Sequence, residues 1–203
     1  MSRWQELTGG TSGGEYAARF EALARSGTDV HGEARFCAAL VPDGARVLDA
    51  GCGTGRVAIR LAELGRDCVG IDLDASMLDV ARAHAPELSW VRTDLAEFDP
   101  ALLGIAVDFD LVVAAGNVFP LLAAGTEATV VERLAAALRP GGLLVAGFGL
   151  DDAHLPVPPG ITLPQYDAYC AAAGLALVDR FATWDAAPYD GGGYAVSVHR
   201  AGT

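Results

Sequence analysis

The run Val47-Leu48-Asp49-Ala50-Gly51-Cys52-Gly53-Thr54-Gly55-Arg56 decides how the rest of the chain is read. Its first residues fit a short buried strand, and three glycines then stand on alternate positions. A helical pattern follows at once: Val57, Ala58, Ile59, Leu61, Ala62 and Leu64 are apolar, and Gly65 stops the run. Strand, glycine turn and helix in this order open a nucleotide-binding βαβ unit. Without Cβ atoms the turn bends sharply and a ligand can lie on bare backbone. The spacing is Gly-x-Gly-x-Gly, not the Gly-x-Gly-x-x-Gly of a dinucleotide fingerprint, and Asp49 stands two residues before the first glycine.

The totals narrow the field. The 203 residues suit one domain with a substantial core, and 52% are hydrophobic with no low-complexity run, which argues against disorder. The formal charge is -12. Phosphate backbones and anionic membranes repel such a chain, so neither nucleic acid nor a membrane surface is expected as a partner. All 14 basic residues are Arg, which excludes a lysine Schiff base and a P-loop lysine. Cys37, Cys52, Cys68 and Cys170 include no Cys-x-x-Cys pair, so neither a zinc site nor a redox pair is indicated. Cys68 and Cys170 read as buried fillers; Cys52 fits the glycine turn as a small side chain or a nucleophile. No basic-then-apolar leader or bilayer-length apolar run stands in the sequence, so the cytoplasm is expected.

Outward from the turn, residues 1–14 are polar and glycine-rich and are expected to be flexible. Tyr16, Phe20 and Leu23 mark a helix over residues 15–24, and Phe36 and Leu40 another over 32–40. Residues 68–72 read as a second buried strand ending in Asp72, 17 residues after Gly55. Asp74 suits an N-cap for the helix containing Met77, Leu78, Val80 and Ala81. A third strand over 88–91 leads to Thr93-Asp94-Leu95, and a fourth over 108–115 runs into Gly116-Asn117-Val118. Thr126 is expected to cap a long helix that Leu138-Arg139-Pro140-Gly141-Gly142 ends before a fifth strand, 143–148. A proline-rich connection over 151–165, a helix over 163–173, a strand near 175–184, a loop to Gly193 and a strand over 194–199 complete the chain.

Five of these features, in order and spacing, resemble the class I S-adenosylmethionine (SAM)-dependent methyltransferases: the Asp49–Gly55 turn, Asp72, Asp94-Leu95, the end of the fourth strand and the Pro-Gly-Gly run. They span residues 49–149, roughly half the chain. The resemblance implies an α/β fold with a single doubly wound, Rossmann-like seven-stranded sheet, its last strand antiparallel, beneath an N-terminal helical lid. Within one domain over 1–203, residues 1–41 would form the lid, 45–149 the cofactor-binding core, and 150–203 a substrate-side helix and C-terminal hairpin.

The resemblance also implies SAM as cofactor, S-adenosylhomocysteine as product, and direct in-line transfer of the methyl group to a small molecule. Gly51, Gly53 and Gly55 would let the methionine part pass over the turn. Asp72 would accept from the ribose hydroxyls and Asp94 from the adenine amine, with Leu73 and Leu95 against the base. Asp49, Cys52, Met77 and Ala115 complete the expected contacts. The helix N-terminus after Gly55 and Arg19, with Tyr16 beside it, are the candidates for the methionine carboxylate; Arg56 is expected to face solvent. Asn117 either holds substrate or the cofactor's amino-acid end, or forms an Asx turn. His31, Glu33 and His154 are candidate bases, and Tyr189 a candidate for orienting substrate. His84 and His199 read as a surface and a structural residue.

Two other functions bear on the same residues. A nicotinamide-dependent reductase needs the x-x glycine spacing and a catalytic Tyr-x-x-x-Lys or similar, which a chain without Lys cannot supply. A non-catalytic SAM-binding regulatory module would share every cofactor contact and stays open beside the enzyme. No Asn/Asp-Pro-Pro-Tyr/Phe run follows the fourth strand, which favours a small acceptor over nucleic acid.

Overall fold

The strand that opens the glycine turn lies at the middle of a seven-stranded sheet. A computed structural model describes residues 2–9, 13–155 and 157–203. In chain order the strands are β1 (Arg46–Ala50), β2 (Asp67–Asp72), β3 (Ser89–Arg92), β4 (Phe109–Ala114), β5 (Leu138–Gly149), β6 (Leu175–Phe181) and β7 (Tyr194–Ala201). Their order across the sheet is β3-β2-β1-β4-β5-β7-β6. β7 runs antiparallel to both its neighbours, and the remaining pairs are parallel. The order reverses between β1 and β4. Connections leave those two strands toward opposite faces, which opens a crevice at their carboxyl ends.

Helices cover both faces, which is why β1 and β4 are buried along almost their whole length. One face buries Val57, Ala58 and Leu61 of α4 (Arg56–Glu63) and Leu78 and Ala81 of α5 (Ala75–His84), with Ala34 and Cys37 of α3 (Gly32–Leu40). On the other, the short α6 (Pro100–Leu103) adds Leu103, and α7 (Glu127–Ala137) presents Val130, Val131, Leu134 and Ala137 at helical spacing. Tyr166 of α8 (Leu163–Ala172) packs there against Phe119 and Phe148, with centroids 4.8 and 5.3 Å away. Asp74 caps α5 by accepting from the Ser76 N–H at 2.9 Å, as its position predicts.

The start of the chain departs from the flexible lead-in expected there. Residues Arg3–Thr8 form α1, because Ser2 and Gln5 close a reciprocal capping box and Gly9 ends the helix in a left-handed conformation. Gly13 begins α2 (Gly13–Arg25) and is buried. Its N–H donates to Ser76 Oγ at 3.1 Å, and a Cβ would run into the Ser76 carbonyl. Polarity concealed both devices. Met1, Gly10, Thr11 and Ser12 shared that expectation and lie outside the described residues, as does Pro156 of the proline-rich connection.

Three further boundaries differ. β5 begins at Leu138, which pairs with Phe109 before a register shift, so the Pro-Gly-Gly run belongs to the strand. Thr126 precedes α7 but its hydroxyl donates to Ala123 O at 2.7 Å instead of capping. β6 stops at Phe181, where Ala182 turns away and donates to Ala187 O at 2.7 Å. Among the described residues no helix is long and apolar enough to cross a membrane.

Gly13→Ala tests the docking of α2. The added methyl must push α2 off α5, an overpacking cost of about 1–3 kcal/mol. Faster amide exchange confined to α2 is the expected result. Unchanged exchange there would show that the contact has slack.

Candidate functional site

The carboxyl ends of β1, β2, β3 and β4 border a cleft with about 980 Å³ of empty space, its open mouth included. The glycine turn forms the floor. Gly51 has φ 76°, and its N–H donates to Ile71 O at 2.8 Å, tying the turn to β2. A Cβ on Gly51 would stand 2.7 Å from Val118 Cγ2. Gly53, at φ 54°, donates its N–H to Asp72 Oδ2 at 2.8 Å. Gly55 serves a different purpose and does not line the cleft. At φ 80° it would bring a Cβ to 2.5 Å from Trp90 Cη2. The Trp90 indole lies across Gly55 and Gly70, held by Nε1 donating to Ala85 O at 2.8 Å.

Acids stand at the ends of three neighbouring strands. Asp49 is 2% exposed, and its Oδ2 accepts from the Ala58 N–H at 3.0 Å. Ala58 is in the first turn of α4, whose N-cap is Gly55 and offers no side chain. Asp49 supplies from the strand the acceptor that the cap lacks. Burial pushes its carboxyl up to about 7, against the pull of the Ala58 N–H and Arg56. Asp72 accepts from Gly53 through Oδ2 and from the Asp74 N–H through Oδ1, both at 2.8 Å. Burial raises its carboxyl too, opposed by those hydrogen bonds. Asp94 Oδ1 caps the 3₁₀ turn Leu95–Glu97 by accepting from Ala96 N–H at 2.9 Å, and Asp94 lines the cleft.

The raised Asp49 carboxyl gives a signed prediction. Its folded value lies above the unfolded one near 3.9. The native state therefore holds a proton that the unfolded chain releases, so Asp49's contribution is complete below about pH 4 and is lost as pH rises through about 7. Asp49→Asn, which keeps an acceptor for Ala58, should be relatively more stable than the parent at pH 7.5 than at pH 4.5. Urea midpoints at the two pH values measure this; an equal difference at both would show that Asp49 is ionised throughout.

The N-terminal helices roof the cleft. Trp4 Nε1 donates to Asp74 Oδ2 at 2.9 Å, and Arg3 Nη1 donates to Pro120 O at 3.4 Å and Pro158 O at 3.2 Å. Ser2, Trp4 and Tyr16 line the cleft from above. Arg56 also lines it, contrary to the expectation that it faces solvent. It forms a two-pronged pair with Glu33 at 2.9 and 2.5 Å, donates to Val30 O, and lies 4.6 Å over the Phe20 ring.

The remaining candidates divide clearly. Leu73, Met77, Leu95, Cys52 and Ala115 line the cleft with the acids and with Gly51 and Gly53. Arg19 is exposed on α2 and is not part of the lining. Asn117, at φ 68°, accepts from Gly149 N–H at 2.8 Å and donates to His154 O at 3.1 Å, joining the ends of β4 and β5. His31 lines a separate cavity with Phe20, Ile59 and His84. His154 sits past β5 with Nδ1 2.6 Å from Asp151 Oδ1. The Tyr189 hydroxyl donates to Gly192 O at 3.3 Å within its own turn. Sequence reasoning missed Trp4, Val118, Leu121 and Leu122 as lining. Tyr16 is the part of the roof that the sequence marks, and the Ser2–Gln5 capping box is the readable sign of α1.

The fold recurs in known proteins. The family model described as "Methyltransferase domain" matches residues 47–142. The crystal structure of a TehB-like SAM-dependent methyltransferase from Corynebacterium glutamicum is 35% identical, with a TM-score of 0.83 over 94% of this chain and 98% of that one. The chain belongs to the SAM-dependent methyltransferases. Trans-aconitate 2-methyltransferase of Delftia acidovorans is 33% identical over 138 residues, 66% of this chain and 50% of that protein. A ubiquinone biosynthesis O-methyltransferase of Chelativorans sp. is 37% identical over 103 residues, 50% and 39% of the two chains. The aligned regions thus span half or less of these curated relatives. The matched family region holds the whole floor and the three strand-end acids; the roof helices and His154 lie outside it.

Proposed function

We propose that this protein holds SAM across the carboxyl ends of β1–β4 and transfers its methyl group to a small-molecule acceptor, releasing S-adenosylhomocysteine. Asp72 carries the reading. A carboxylate offers about four acceptor positions, and backbone N–H groups take two of those on Asp72. The rest suit a vicinal diol. Asp94 suits an amine, and Leu73 and Leu95 an aromatic base. Arg56 and the N-terminus of α4 suit a carboxylate, and Asp49 an ammonium. The donor and acceptor set therefore fits SAM, and Gly53 leaves the floor free of a side chain.

When bound, SAM supplies an electrophilic methyl group on a positively charged sulfur. The protein's own part is alignment and exclusion of water. Good positioning is worth up to about 7–11 kcal/mol, and Trp4 and Tyr16 shield the cleft from above. The acidic charge and the small molecules in the relatives' names support a small acceptor. Residues 1–41 would then act as the lid, 45–149 as the cofactor core and 150–203 as the acceptor side. The four cysteines are free and buried, which suits a reducing cytoplasm.

Titration calorimetry with SAM and S-adenosylhomocysteine tests the binding, and product formation from methyl-labelled SAM tests the transfer. Heat with a nicotinamide dinucleotide and none with either SAM species would end this reading. Binding without transfer to any acceptor in a chemically broad panel would favour a regulatory module.

A further inference from the structure

Three helices meet on one buried side chain. Asp74 is 3% exposed, and both of its carboxylate oxygens are engaged. Oδ1 accepts from Ser76 N–H at 2.9 Å and from the Ser76 hydroxyl at 2.7 Å, and Oδ2 accepts from Trp4 Nε1 at 2.9 Å. The Ser76 hydroxyl in turn accepts from Gly13 N–H at 3.1 Å. α1, α2 and the start of α5 are thus pinned at the same carboxylate. Burial works against its charge, but the hydrogen bonds from Trp4 and Ser76 outweigh it and hold the carboxyl below its usual range. Capping α5 needs only one acceptor, which an Asn would also supply. The second oxygen is what Asp adds, and the roof uses it.

The same residue reaches the cleft through its backbone. Asp74 N–H donates to Asp72 Oδ1, and Gly53 N–H to Asp72 Oδ2, both at 2.8 Å. Asp72 lines the cleft from its strand end and Trp4 from the roof, and Asp74 joins the two. Tyr16 steadies the indole from the side, edge-on at 6.2 Å between centroids. Trp4 and Gly13 both precede residue 47, where the match to the family model begins, so the link is built from outside the matched region.

We propose that Trp4, acting through Asp74, is a positioning residue for Asp72, so that recognition of the ribose hydroxyls depends on the roof being docked. The proposal rests on the methyl-transfer reading above. Two fixed N–H donors leave the remaining lone pairs of Asp72 aimed in fixed directions, and a vicinal diol needs that aim. When Trp4 withdraws, Asp74 Oδ2 loses its donor, residues 72–74 are freer to move, and the aim is lost. By linkage, a ribose held by Asp72 favours the docked roof to the same extent.

Calorimetry of the full chain with S-adenosylhomocysteine and its 2′-deoxy analogue tests this. The two ligands share base, sulfur and amino-acid portion, so the ratio of their affinities reports the 2′-hydroxyl alone. The parent should prefer the ribose form at least about tenfold, the worth of a hydrogen bond to a charged group. Trp4→Phe keeps a ring over the cleft and removes the N–H. It should reduce that preference about threefold, the share of one hydrogen bond acting at one remove. Asp74→Asn keeps an acceptor for the cap but turns a donor toward the Trp4 N–H, and should have the same effect. The double variant should fall no further than either single one, since both break one chain of contacts. An unchanged preference in Trp4→Phe, even with both ligands weakened, would leave Trp4 as cover alone and overturn the proposal while methyl transfer stands. Additive losses in the double variant would overturn the route through Asp74. Failure of the parent to bind either compound would remove the methyl-transfer reading and this proposal with it.

Discussion

Phe119→Ala is expected to lower the free energy of unfolding by about 3–5 kcal/mol, the usual cost of truncating a buried aromatic. Phe119 is 1% exposed and packs on Tyr166 at 4.8 Å and Phe148 at 6.1 Å. The three rings come from the turn after β4, from α8 and from β5, so no single element can close the gap. The same 3₁₀ turn, Phe119–Leu121, carries Leu121 into the cleft lining. The substitution should therefore also weaken SAM binding in the protein that remains folded. Urea unfolding at unchanged m-value gives the first quantity and calorimetry the second. A stability loss below about 1 kcal/mol would mean that neighbouring side chains refill the space.

The second large effect falls on binding. Asp72→Ala should weaken SAM by about 1.5–3 kcal/mol, the range for hydrogen bonds to a charged group. The structure adds a reason for the upper end. Asp72 also receives the N–H groups of Gly53 and Asp74, so its loss frees the floor and the entry to α5 together. Asp72→Asn separates the contributions, since the amide can still accept from one of the two N–H groups. It should fall between alanine and the parent. Unchanged affinity in the alanine variant would remove the ribose assignment.

Much of the frame was legible because it is local. Alternating glycines, apolar runs of strand length and a capping acid such as Asp74 depend on neighbours in sequence. α3 was read with the bounds it has, Gly32–Leu40. The unread features are contacts between distant segments. Gly55 is glycine because Trp90, 35 residues later, lies over it. Arg56 turns inward because Glu33 and the Val30 carbonyl on the preceding segment meet it. Asn117 ties two strand ends that no spacing rule joins. The outward position of Arg19 follows from how α2 sits on α5 through Gly13, a close approach that a glycine in a polar run did not reveal.

The six-residue helix α1 has a kinetic meaning. A helix of that length is not stable alone in water, and its grip on the body includes the Trp4 indole N–H and the Arg3 guanidinium. Whatever lies beneath Trp4 is expected to leave only when those latches open, so residence time should follow the opening rate of α1 rather than the depth of the well below it. Release observed by stopped flow to outpace exchange of the α1 amides would show that the exit lies elsewhere.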